Sequence, residues 1–311
     1  RVLFRSAIAP GRPSARRNSR LGRRRTVCRR ASGRIAPARR GAYGPGMTAT
    51  VVCIKWGGLF GPEYVNRLFS GVRRNLAGPV RFLCMTERPE GLHPDVEVLD
   101  LPREPFAAEM ERALAAADRR GAMRKVSLFR PGLIPGHAGP VLGFDLDVVI
   151  TGPLDDLLAV APGKVAMRAD WVEARRGRPT GHGSVFRFDP NLHPWLYDTL
   201  AADPAGAVAR ARGSEQRYTS ALAQERGAFA YLPPRQVVSF KHDCLGLPPV
   251  SWLRPARLPA DARVVCFHGR PKMHEAVAGW AGSALRACRA VPWLKEHWID
   301  RTAEDLGPRW A

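Results

Sequence analysis

The chain has 311 residues, 45% of them hydrophobic and 25% charged, a balance that excludes a low-complexity polymer and allows a sizeable core. No run approaches the roughly 18 consecutive apolar residues that a bilayer-spanning helix needs, and six cysteines without a C-x-x-C pair exclude a zinc framework and a disulfide scaffold. The formal net charge of +21 points to nucleic acid until its distribution is read: residues 1–46 hold fourteen Arg and no Lys, Asp or Glu, and taking these away leaves +7 for residues 47–311. That remainder suits an anionic substrate or a membrane surface as well as it suits nucleic acid.

Residues 1–46, with the run R-R-N-S-R-L-G-R-R-R-T-V-C-R-R, lack apolar periodicity and are expected to be disordered. They read as a nucleic-acid arm, as an acid-free transit peptide, or as a non-functional extension ahead of a true start at Met47; the last is favoured because fold signals begin only after Met47. Residues 50–55 (T-V-V-C-I-K) predict a first strand, 56–62 a glycine-rich loop and 63–76 a helix, with Tyr64, Val65, Leu68, Phe69, Val72 and Leu76 at helical spacing. Pro62 suits its first turn and Gly78-Pro79 stops it. Residues 80–86 and 96–101 predict two more strands, and 107–119 an Ala-rich helix. Val126, Leu128 and Phe129 form a short apolar segment before a Pro/Gly loop.

Residues 141–158 read V-L-G-F-D-L-D-V-V-I-T-G-P-L-D-D-L-L. The apolar, β-branched run predicts a buried strand, in which Asp145 and Asp147, two apart, share a face. Two carboxylates at the end of such a strand are costly to desolvate without a cation or several donors. A hard divalent ion, Mg²⁺ or Mn²⁺, is the first hypothesis; the alternative is that the pair caps a turn or meets surface Arg. A helix begins at 153, with Asp155 and Asp156 as first-turn charges. Further strands are predicted at 165–167, 184–188, 229–232 and 264–267, and helices at 194–202 and 215–224. Together these form a single mixed α/β domain over residues 47–290, with a mostly parallel, Rossmann-like sheet flanked by helices, and residues 291–311 as a Trp-bearing basic tail. Cys53, Cys84 and Cys266 lie in strand-like runs as small hydrophobes, so a reducing cytoplasm is the expected setting.

Four constellations carry candidate chemistry. Lys55-Trp56-Gly57-Gly58 lies where a strand hands over to a helix and reads equally as a contact for an anion or a nucleoside and as a simple tight turn; no dinucleotide or P-loop fingerprint is present. Cys266-Phe267-His268-Gly269-Arg270-Pro271-Lys272 offers a neutral imidazole and a point charge for phosphate, or else a solvated turn. Gly213-Ser214-Glu215-Gln216 opens a helix, with Ser214 placed as an N-cap. Gly181-His182-Gly183-Ser184 precedes a strand, and His182 faces either a pocket or water.

Taken in this order, from Met47 to about Glu275, the motifs resemble nucleotide-sugar glycosyltransferases of the GT-A fold, nearest the family 8 type. The resemblance implies a GT-A-like α/β domain and a hexosyltransferase that moves a sugar from a nucleotide-diphospho-sugar, a UDP-sugar being favoured, to an acceptor hydroxyl with retention. It implies that Asp145, Asp147 and His268 hold Mn²⁺ or Mg²⁺ and that Lys272 neutralises the departing diphosphate. Lys55, Trp56 and Gly57 would then lie near the nucleoside, and Glu215 and Gln216 would face the donor sugar and the acceptor, a glycan or lipid-linked sugar. Here His268 and Gly269 are adjacent and Met273 follows Lys272, where the family more often spaces these residues and ends in Lys-Pro-Trp.

Two other classes compete. D-L-D-V-V resembles the first motif of haloacid-dehalogenase-like phosphatases, but about one hundred residues of α/β pattern precede it and no late acidic cluster follows. A nucleic-acid binder has support only in residues 1–46, so no nucleic-acid partner is expected; a non-catalytic sugar-nucleotide scaffold is the third alternative. In residues 284–301, Trp293 and Trp298 alternate with Arg286, Arg289, Lys295 and Arg301. That pattern suggests a basic helix in peripheral contact with the inner face of a membrane, although Pro292 interrupts it and favours packing on the domain.

Overall fold

In T-V-V-C-I-K both faces of the extended chain are apolar, so the segment is satisfied only between two layers. The computed structural model describes residues 48–118 and 123–301; the Arg-rich extension, Met47 and the last ten residues of the tail lie outside them. The elements are β1 (Ala49–Lys55), α1 (Pro62–Arg74), β2 (Val80–Thr86), β3 (Glu97–Asp100), α2 (Ala107–Ala116), a 3-10 segment (Arg124–Phe129), β4 (Val141–Phe144), β5 (Val148–Ile150), α3 (Asp155–Ala159), β6 (Val165–Ala169), β7 (Gly181–Phe188), α4 (Trp195–Ala202), α5 (Pro204–Ala211), α6 (Glu215–Glu225), β8 (Phe229–Tyr231), β9 (Val237–Ser239), α7 (Val250–Leu253), β10 (Val264–Cys266), α8 (Met273–Ala278) and α9 (Leu294–His297).

A seven-stranded sheet runs β3-β2-β1-β4-β7-β6-β8, and β5-β10-β9 form a separate three-stranded sheet. β1 is parallel to β2 and β4, β2 to β3, and β6 to β8, while β7 opposes both β4 and β6. The fold is thus mixed, mostly parallel α/β. Val51 and Cys53 join Phe82, Leu142 and Phe144 under Tyr64, Val65, Leu68 and Phe69 of α1. Val52, Leu83 and Phe186 face the other way, onto Leu196, Leu200, Val208 and Tyr218. Alternation of period two supplies both cores from one strand.

The D-x-D segment corrects the expectation of a single strand. β4 stops at Phe144 and β5 starts at Val148 in the other sheet, with Asp145, Leu146 and Asp147 as the crossover. Leu146 goes into the core. The Asp145 N–H donates to the Ser184 carbonyl of β7, and the Asp147 carbonyl accepts from the Phe267 N–H just past β10, at 2.9 and 2.8 Å. Each aspartate is therefore tied to a different sheet. β-Branched residues on both sides hide the switch, because a buried strand and its continuation in a second sheet have the same composition.

α5 was not among the predicted helices, although Asp203-Pro204 is an N-terminal signal: Asp203 accepts from the Gly206 N–H at 2.8 Å and Pro204 fills the first turn. The C-terminal stretch is not one amphipathic helix, since within 284–301 only Leu294–His297 is α-helical. Trp298 is buried beside Tyr64 with the Arg67 guanidinium 4.0 Å from its ring, and the Trp293 indole donates to the Ala256 carbonyl at 3.0 Å. Both indoles pack inward, so the described part of the tail completes the domain. Among the described residues no helix is long and apolar enough to cross a membrane, and Cys53, Cys84, Cys244, Cys266 and Cys288 are buried free thiols.

Candidate active site

Parallel strands share a carboxyl edge. β1, β2 and β4 end there, β6 ends there too, and β7, running the other way, begins there. The edge therefore gathers Lys55-Trp56-Gly57, Glu87-Arg88, Asp145, Asp170 and His182-Gly183, at the place where the strand direction reverses between β4 and β7. The strand order itself turns back between β1 and β4, and ligands of open α/β sheets favour the carboxyl ends of strands at such a switch point.

Lys125, from the 3-10 segment, sits at the centre. Its Nζ lies 2.6 Å from Asp145 Oδ1 and 3.6 Å from Glu215 Oε1, and it donates to the Gly183 carbonyl at 3.0 Å; its backbone N–H donates to Glu215 Oε2 at 2.8 Å. Burial works against the Lys125 ammonium, but the charges of Asp145 and then Glu215 outweigh it and raise its pKa. Burial pushes the Glu215 carboxyl up to about 7 against the pull of Lys125. Gln216 accepts from the Gly183 N–H and donates to Asp170 Oδ2, both at 3.1 Å, so its amide braces the start of β7 against the end of β6. Lys125, Asp145, Asp170, Gly183, Glu215, Gln216 and Arg217 line a cavity of about 440 Å³. A second cavity, about 590 Å³ with Arg178, Arg210 and Arg212 in its wall, shares Glu173 and Arg217 with it.

The titration of Glu215 gives a measurable result. Its pKa is raised on folding, so its contribution to stability is present at low pH and is lost as pH rises from its ordinary value near 4.5 to about 7. Glu215→Gln keeps an acceptor for the Lys125 N–H and removes that titration. In urea melts the variant should gain on the wild type between pH 5 and pH 8 by at most about 3 kcal/mol and then level off.

Asp147 forms a second ion pair, 2.5 Å from Lys272 Nζ, which also donates to the Phe267 carbonyl at 3.2 Å. Lys241, on the turn after β9, stands close by. Burial, then the charges of Arg286 and Lys272, lower its pKa to about 8. Cations therefore crowd this side of the site.

His268 lies across from the lysines. Its Nε2 hydrogen-bonds Ser239 Oγ at 2.8 Å and its ring stacks on Trp171 at 5.1 Å, with His182 and His242 at 5.0 and 5.7 Å. Burial first, then the neighbouring charges of His182, Lys241 and His242, hold its pKa down at about 3. His268 is thus a neutral imidazole.

Two carboxylates and a neutral imidazole suit Mn²⁺ or Mg²⁺ in donor chemistry. Their placement does not: among the described residues no three His, Cys, Asp or Glu side chains are grouped so as to hold a metal ion, and each aspartate already faces an ammonium group. Asp145, Asp147 and His268 are therefore not assembled as a ligand set, and no step below passes through a metal.

At the first loop, Lys55 is buried and its Nζ donates to the Arg88 carbonyl at 2.9 Å, while the Gly57 N–H donates to Glu87 Oε1 at 2.6 Å. Gly57 takes φ +65°, which favours glycine. Trp56 is left open to solvent with the Arg124 guanidinium 5.2 Å from its ring. Of the residues proposed from sequence, the structure brings Asp145, Glu215 and Gln216 into one cavity, pairs Asp147 with Lys272 next to it, and commits Lys55 and the Gly57 N–H to the loop itself. Lys125, Asp170, Trp171, Ser239 and Lys241 were missed. Lys125 alone left a trace, as a basic residue opening the apolar 126–129 segment.

No protein-family model matches the chain, and no curated protein sequence matches it. Among solved structures it is similar to the galactosyltransferase LgtC in complex with donor and acceptor sugar analogues, at 13% identity over 72% of this chain and 88% of that one, with a TM-score of 0.45. It is similar to the glycosyltransferase GlyE of Streptococcus pneumoniae TIGR4, at 11% identity over 76% and 58% and a TM-score of 0.49. Mouse xyloside xylosyltransferase 1 gives 11% identity over 72% and 98% and a TM-score of 0.44. All three are glycosyltransferases, the class the motif order resembles; at these identities and scores the functional reading rests on the side chains.

Proposed function

We propose that the protein is a glycosyltransferase that moves a hexose from a nucleotide-diphospho-sugar, a UDP-sugar being favoured, to a hydroxyl of a glycan or lipid-linked acceptor with retention. The observation that carries this reading is the crowding of Lys241 by Lys272 and Arg286, with Lys272 paired to Asp147, near a cavity holding Asp145 and Glu215. Burial, then the charges of Arg286 and Lys272, lower the Lys241 pKa; an anion relieves that crowding, and a diphosphate is an anion of matching reach.

In the reaction the bond from the anomeric carbon to the diphosphate oxygen breaks and the leaving oxygen keeps the electron pair. Lys272 and Lys241 stabilise that growing negative charge more in the transition state than in the ground state. The acceptor oxygen bonds to the anomeric carbon, which has oxocarbenium character, and its proton passes to the leaving phosphate oxygen. Glu215 and Lys125 border the sugar, and Gln216 keeps Gly183 and Asp170 in place. The adjoining 590 Å³ cavity gives the acceptor room.

A thermal-shift panel of UDP-, GDP- and CMP-sugars, with Mn²⁺ or with chelator, tests the reading. A UDP-sugar at about 100 times its Kd should stabilise the protein by about 2.7 kcal/mol, and Lys272→Ala, which melts lower because Asp147 loses its ammonium partner, should lose most of that ligand-induced shift. Absence of a shift with all three classes rejects the proposal. A shift that is equal in chelator and in Mn²⁺ is expected while Asp145 and Asp147 face lysines; a shift that needs Mn²⁺ overturns that arrangement and leaves the transferase reading standing.

A further inference from the structure

Two stretches of the chain free of acidic residues meet on one face of the molecule. Neither residues 244–260 nor residues 276–295 contain an Asp or Glu, and the Trp252 indole donates to the Ala284 carbonyl at 2.9 Å, which ties α7 to the loop before Leu285. Five of the eleven exposed large hydrophobic side chains among the described residues lie here: Leu247 at 82% exposure, Leu285 at 77%, Leu253 at 69%, Val250 at 51% and Trp252 at 48%. Scattered apolar side chains are ordinary on a surface, whereas a cluster of this kind has a partner.

The charges around the cluster identify that partner. Arg254, Arg257, Arg286 and Arg289 are all exposed, and among the described residues none of them has a carboxylate partner in an ion pair. Leucines and a tryptophan flanked along both stretches by exposed arginines match the boundary of an anionic bilayer, where apolar side chains enter the acyl region and arginines meet phosphate.

We propose that this face docks the protein on an anionic membrane surface. It is not the surface that the spacing of Trp293 and Trp298 suggested, since both indoles point inward. Arg286 of this face also helps to lower the pKa of Lys241, so the docking face adjoins the cationic side of the candidate site. The proposal stands independently of the reaction assigned above.

Flotation of the whole chain with vesicles tests it. The protein should float with phosphatidylcholine vesicles containing phosphatidylglycerol, stay behind with pure phosphatidylcholine, and release as salt is raised. The double variant Leu253→Glu/Leu285→Glu should keep the wild-type melting point and nucleotide-sugar response while its partition onto anionic vesicles falls about tenfold or more. Three results overturn the proposal. The first is no flotation. The second is flotation undiminished in the double variant, in which case the fourteen arginines of residues 1–46 do the binding. The third is a dimer by light scattering that the double variant dissolves, in which case a second copy covers the face.

Discussion

Lys125→Met should remove transfer activity and about 3 kcal/mol of stability at pH 8, with part of the stability returning at pH 5. The Lys125 ammonium lies within ion-pair distance of both Asp145 and Glu215 and fills the space between them. Methionine keeps the chain length and leaves two half-buried carboxylates facing each other, and removing one partner of such a group costs more than the pair itself is worth. In the variant the Glu215 carboxyl, already raised by burial, loses the Lys125 charge that pulls it down. The variant's lost stability is therefore recovered below the ordinary carboxylate range and forfeited again as pH rises. Activity should fall by about a hundredfold or more in kcat/KM, a loss of roughly 3 kcal/mol of transition-state stabilisation. Lys125→Arg restores the charge but not the compact ammonium that also reaches the Gly183 carbonyl, so it should recover stability before activity. Urea melts at the two pH values and a transfer assay are sufficient. Equal destabilisation at pH 5 and pH 8 would show that the lysine does not separate the carboxylates.

Gly143→Ala is expected to cost about 2 kcal/mol through a single methyl group. Gly143 lies in β4, and a Cβ built there runs into the ring of Phe186 on the neighbouring strand. Phe186 cannot easily withdraw, because it stacks on Phe188 at 5.3 Å and the Lys125 ammonium lies 5.7 Å from its ring. Extra volume in a filled core costs about 1–3 kcal/mol, and here the displaced ring presses on the residue that holds Asp145. The variant should melt lower and also lose activity, and Gly143→Ala/Phe186→Leu should recover most of the stability. A double variant no more stable than Gly143→Ala would mean that the strain lies in the backbone of β4.

Much of the frame was legible along the chain. β1, α1 and β2 announce themselves because the apolar period changes from two to 3.6 and back, with Pro62 and Gly78-Pro79 as punctuation. The position of the D-x-D segment was legible too, but its passage from one sheet to another was not, since Val148, Val149 and Ile150 continue the composition of β4 without a break. Candidates could be picked out where residue type alone restricts the chemistry, as with Asp145 and Glu215, which line one cavity, and Asp147 and Lys272, which form an ion pair. The site was unreadable where meaning comes from a distant partner. Lys125 matters because Glu215, ninety residues later, accepts its N–H. Lys241 matters because the fold buries it and brings Arg286 and Lys272 near enough to add to the lowering of its pKa. Lys55 reads as a ligand-binding residue and in fact secures the carbonyl of Arg88. The C-terminal tryptophans follow the same rule, as a spacing that serves a membrane equally well serves a core.

The crossover at Asp145–Asp147 makes the site a pair of jaws on separate mounts. Lys125 and Asp145 hang from the large sheet, while Lys272 and Asp147 are fastened at Phe267 to the small one. A ligand held by both lysines, as the proposed donor would be, has to span the joint between the two sheets. The length of Asp145–Leu146–Asp147 thus sets the gap that such a ligand must match.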